Sequence, residues 1–122
     1  MTHAVTQEAG QEMLARWCDH GTALVVFFGA AGGTANVAFH ARVHRVSAKR
    51  LLLRSDNGRM FVSMADATFS YGPANLHSAP TLAPVAVDGL HVSIGGEHSH
   101  WLWLANAGEE SDKLLAEAAG AE

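Results

Sequence analysis

Most of the positive charge in this 122-residue chain is confined to one short stretch. Arg42, Arg45, Lys49, Arg50, Arg54 and Arg59 stand between positions 40 and 59 with Asp56 as the only acid among them, while the rest of the chain sets Arg16 and Lys113 against the other 11 acids. Clustered guanidinium and ammonium groups attract phosphates and other polyanions, so this window is the first candidate for chemistry. Within it, Arg42 falls on the outward side of an alternating segment, and Arg45, Lys49 and Arg50 fall at the bend that follows. These four form the candidate polyanion site. Two readings compete with it: the cations can pair with Glu8, Glu12, Glu109 and Glu110, and Phe39 and Phe61 occupy apolar positions that read as core, which leaves no exposed aromatic to stack on a base.

Histidine suggests a second chemistry. His98 and His100 are one pleat apart, close enough to share a metal ion if a third ligand came from elsewhere, and they are the candidate metal residues. His40 and His44 are about 13 Å apart along an extended chain, too far for one ion. Cys18-Asp19-His20 sets a thiol near a base, but at a helix C-terminus the thiol faces partial negative charge, the wrong sign for activation, so a core-facing cysteine is the simpler account. Gly29-Ala30-Ala31-Gly32-Gly33-Thr34 follows a strand but has no lysine after it and no helix to open, so it reads as a turn rather than a phosphate cradle. No Gly-x-Ser-x-Gly, His-Glu-x-x-His or Cys-x-x-Cys pattern occurs, and the strand segments lack paired carboxylates. No catalytic residue and no cofactor is expected.

The elements that must position these groups follow from periodicity. Over residues 6–20, Met13, Leu14, Trp17 and Cys18 share a helical face, with Thr6 as N-cap and Gly21 as the left-handed stop. From residue 22 the period becomes two. Leu24 to Phe28 is a buried-strand run, and over Asn36 to Val46 the residues Val37, Phe39, Ala41 and Val43 turn inward while Ala38, His40, Arg42 and His44 turn outward. Leu51–Ser55 and Arg59–Met64 flank Asp56-Asn57-Gly58, whose Asn-Gly pair supplies the positive φ of a tight hairpin, and Thr68–Tyr71 restarts a strand. Residues 72–88 hold all three prolines and form a long loop. Residues 89–105 make a last hairpin in which Trp101 and Trp103 share one face and Leu102 and Leu104 the other, so that strand is covered on both sides. A short helix is expected over 109–119.

Length and composition fit a single domain over 1–122: 48% hydrophobic and 16% charged residues exclude a disordered chain. A lone cysteine and no signal-peptide pattern point to the cytoplasm. The charge-free stretch 21–39 contains Gly29, Gly32, Gly33 and Asn36, which break it as a membrane helix, so no membrane is expected as a partner.

The expected fold is mainly β, a small, strongly bent antiparallel barrel of about five to seven strands with an N-terminal helix and a short C-terminal one. One helix followed by consecutive strands, with Leu24-Val25-Val26-Phe27-Phe28 opening them and the segment Asp88-Gly89-Leu90-His91-Val92-Ser93-Ile94 later, resembles the Sm-like family of small SH3-type barrels. That resemblance implies ring assembly and RNA binding. Asp88 stands where the family usually has an arginine, and Ser47 to Leu51 lacks the family's aspartate and asparagine. Unpaired strand edges and the two-faced strand around Trp101 and Trp103 predict a non-catalytic, self-associating module, a homo-oligomer; RNA or another polyanion on the basic segment, or a metal on His98 and His100, are the alternatives.

Overall fold

The computed structural model describes residues 3–30, 35–64, 66–73, 88–94 and 100–108. It contains eight strands and one helix: β1 (His3–Val5), α1 (Gln7–His20), β2 (Leu24–Ala30), β3 (Ala35–Val46), β4 (Arg50–Ser55), β5 (Gly58–Ser63), β6 (Thr68–Pro73), β7 (Asp88–Ile94) and β8 (His100–Asn106). The helix begins and ends where its caps dictate. The Thr6 hydroxyl accepts the Ala9 N–H at 3.1 Å, and Gly21, at φ 59° and ψ 33°, turns back to donate to the Cys18 carbonyl.

All eight strands are antiparallel in one sheet of order β1-β6-β7-β8-β2-β3-β4-β5. The mainly β class holds, but among the described residues no ladder joins β5 to β1, so the sheet is open and has eight strands rather than the expected five to seven closed into a barrel. The added strand is β1, whose three residues are too short to show a period; β6 also runs past its expected end to Pro73, which sits opposite Asp88 at the end of its ladder.

The inner face forms one core. Leu14 of α1 packs with Leu24 and Val26, Ala41 and Val43, Leu51 and Leu53, Val62, Phe69, Leu90 and Val92, and Leu102 and Leu104, so every strand but β1 contributes a buried residue. A single helix is only about 10 Å wide, whereas eight strands laid flat span more than about 30 Å. One helix can serve that whole core only because the sheet curls around it. Thus Gly10 of α1 lies over the ring of Phe69 on β6, while Cys18 of the same helix touches the His44 carbonyl on β3, although β7, β8 and β2 intervene in the ladder.

β2 and β8 are buried on their outer faces too: Val25, Phe27, Trp103 and Ala105 are at most 1% exposed. Phe27 and Trp103 are cross-strand partners with rings 5.6 Å apart, and the indole lies across Gly89 to donate to the Gly72 carbonyl at 3.2 Å. A Cβ at Gly89 would come within 2.6 Å of both the indole and the Leu104 carbonyl, which is why the strand pair beneath the ring needs glycine. The two-faced strand is therefore covered within the chain, and β8 is interior, paired with both β7 and β2. Of the two surfaces expected for self-association, the Trp103 face of β8 is thus buried within the chain, and the strand edges at the ends of the ladder are β1 and β5.

The Pro-containing stretch 74–87 and the expected C-terminal helix over 109–119 lie outside the described residues. Among those described, no helix is long and apolar enough to cross a membrane.

Candidate polyanion-binding face

β3 is the strand that organises the site, because it changes partners halfway. Its first half pairs with β2, ending at Ala41 opposite Leu24, and its second half pairs with β4, from Arg42 opposite Arg54 to Val46 opposite Leu51. The alternation read from the sequence holds near Val43, where Ala41 and Val43 are buried and His40 and Arg42 exposed, but toward the start of β3 it fails as a guide to the core: Phe39 is half-buried and Val37 is 48% exposed. One register step is then skipped between Val43 and Arg45. Such a bulge adds a residue to one strand and re-aims its side chains. It allows both Arg42 and Arg45 to stand on the outer face, and Val46 to return to the core side opposite Leu51.

Three arginines from three adjacent strands fall in line on that face. Arg42 pairs with Arg54, and Arg54 pairs on its other side with Arg59 of β5. All three are exposed. Neighbouring strands are about 4.8 Å apart, so the row spans about 10 Å. About 7 Å along the strands lies a second row, Arg45, Leu52 and Phe61, and beyond it Arg50 opposite Ser63. Like charges placed directly opposite each other destabilise a sheet by up to about 1 kcal/mol per pair, so such a row is a local electrostatic cost. Among the described residues the one ion pair within 4 Å is Arg16 with Glu12 on the helix, so none of the three arginines is in such a pair.

Phe61, like Val37, is exposed where the sequence reads as core. It is 61% exposed, on the edge strand of the basic face, with the Arg50 guanidinium carbon 5.6 Å from its ring centroid. The inward positions of β5 are Met60 and Val62, which oppose the buried Leu53 and Leu51. The hairpin shows why. It turns at Asp56 and Asn57, with Ser55 opposite Gly58, and neither turn residue has positive φ; the Ser55 hydroxyl bridges the turn instead, accepting the Asn57 N–H and donating to the Gly58 carbonyl. Of the Asn-Gly pair only Gly58, at φ 157°, has the expected positive φ, and it opens β5, while the two-residue turn itself is held by a side chain. Counting outward from the Ser55–Gly58 pair aligns Arg54 with Arg59 and Leu52 with Phe61, a signal present in the sequence had the register been counted.

Where β3 passes from β2 to β4, the face deepens into a cleft of about 590 Å³. Its walls include His40, Arg42 and His44 from β3, Arg54 and Asp56 from β4 and its turn, and Cys18 at the end of α1. Cys18 is half-buried and donates weakly to the His44 carbonyl at 3.5 Å, in keeping with a packing role.

All four expected cations, Arg42, Arg45, Lys49 and Arg50, are exposed. Arg42, Arg45 and Arg50 share the sheet face, whereas Lys49 stands in the bend before β4, where its carbonyl accepts the Met64 N–H. The structure adds Arg54, Arg59 and Phe61 to them. His98 lies outside the described residues, and His100 is exposed and stacked on Phe28 at 5.7 Å; among the described residues no three metal-ligating side chains come together. The chain matches no protein-family model, no curated protein and no solved structure.

Proposed function

We propose that this protein is a non-catalytic binding module whose outer β3–β4–β5 face takes up single-stranded nucleic acid. The observation that carries the reading is the Arg42–Arg54–Arg59 row, three cations aligned by strand register, none of which has an ion-pair partner within 4 Å among the described residues. A phosphate backbone supplies the missing negative charge. Phe61 adds the second ingredient of single-strand recognition, an exposed π-face beside the cations on which a base can stack, worth about 1–3 kcal/mol per base. An acidic peptide would neutralise the row equally well but would leave the aromatic without use.

Fluorescence anisotropy of a labelled single-stranded RNA with a hydroxyl at each end tests this. Binding at low salt is expected, with affinity lost when Arg42, Arg54 and Arg59 are all replaced by Gln. No binding by the wild-type protein at low salt, or binding that the triple variant retains, would rule it out.

A further inference from the structure

The open face accounts for a chain of single charges laid across it, but not for the cleft at its edge. There the donors converge. Arg42 and Arg54 are direct cross-strand partners and both line the cleft, with His40 and His44 also on its β3 wall. Gly21, Ala23 and Ala41 also line it, with small side chains or none, which leaves space between the cations. Among the described residues Asp56 is the only acid in the lining. At about 590 Å³, the cleft lies within the range of about 300–1,000 Å³ typical of small-molecule sites.

We infer that this cleft is a site for a phosphate monoester, supplied either by the end of a nucleic-acid strand or by a free nucleotide. A monoester carries about −1.5 to −2 charge at neutral pH and three acceptor oxygens, where each internal phosphodiester carries a single charge. Two guanidinium forks facing one concavity match such a group bidentately, and an anion between them converts a repulsive cross-strand pair into a stabilised one. The imidazole of His44 adds a donor from the β3 wall. This inference deepens the face reading, since Arg42 and Arg54 serve both, but it makes a separate claim about strand ends.

The test compares matched single strands ending in phosphate at one end, in phosphate at the other, or in hydroxyl at both. Phosphate-ended strands are expected to bind about tenfold or more tightly than hydroxyl-ended ones, the scale of one or two charge-assisted hydrogen bonds. His44→Ala lowers that ratio without weakening the hydroxyl-ended strand, Asp56→Asn raises it, and Phe61→Ala weakens all strands while leaving it unchanged. A nucleoside monophosphate added alone should shift the amide and imidazole NMR signals of Arg42, His44 and Arg54 but not the Phe61 amide. A ratio of one in the wild-type protein, together with no shift at the cleft from the monophosphate, would overturn the inference. Cleft shifts from the monophosphate in a protein that ignores hydroxyl-ended strands would uphold it and overturn the face reading instead.

Discussion

The guanidinium carbon of Arg50 lies 5.6 Å from the centroid of the Phe61 ring, on the solvent side of the sheet, while the ring keeps 61% of its surface exposed. A large apolar side chain exposed to this degree contributes little to folding. Its loss should therefore be felt in binding and not in stability. Phe61→Ala is expected to weaken single-stranded RNA binding by about 5- to 100-fold, one base's worth of stacking, while the unfolding free energy shifts by no more than about 0.5 kcal/mol. Parallel anisotropy and urea-denaturation titrations separate the two.

Much of this site was legible in the sequence. The outward position of Arg42 follows from the alternation of Val37 to Val43, and both caps of α1 are read directly from Thr6 and Gly21. What hid Phe61 was its residue type. Apolar residues on both parities of β5 (Met60, Phe61, Val62) leave the inward set undecided until the hairpin is paired with β4. The direct Arg54–Arg59 pairing was hidden separately, by a turn centred one residue earlier than Asn-Gly suggests. The bulge after Val43 leaves no mark in a period-two pattern, and the open end of the ladder depends on long-range pairing that local sequence does not encode.

Gly10 tests how closely the helix is seated in the curled sheet. An alanine in a helix interior ordinarily gains about 1 kcal/mol over glycine, but a Cβ here would sit 2.5 Å from the ring of Phe69, which is itself only 5% exposed and so has little room to move. The clash dominates. Gly10→Ala is expected to destabilise the protein by about 1–3 kcal/mol, as overpacking in a full core does; an unfolding midpoint at or above that of the wild type would show that the helix is not held against β6.

Trp103 ties the outer cluster to β6 through its bond to the Gly72 carbonyl. Trp103→Phe leaves that buried acceptor unsatisfied and opens space beside Phe27, and should cost about 2–4 kcal/mol. Denaturant unfolding measures it directly.

His91 predicts a pH dependence. It stands on the outer face opposite Trp103 and Ser70, with the Trp101 ring 5.7 Å away, and burial lowers its pKa from the ordinary 6.5. The unfolded chain then binds the proton more readily than the folded one, so stability is complete above the ordinary value and falls as the pH drops through it toward the lower folded value. His91→Gln should flatten that part of the stability profile. An unchanged slope between neutral pH and pH about 5 would show that the ring is hydrated in the folded protein.

The arginine row carries the proposed binding, and counterion release reads it most directly. Each phosphate neutralised on a single strand contributes about −0.7 to the slope of log affinity against log salt concentration. Replacing Arg42, Arg54 and Arg59 together by Gln should therefore make the measured slope for single-stranded RNA shallower by about 2. A slope that is the same in the variant and the wild-type protein would mean that the row does not contact the phosphates, and would contradict the central claim.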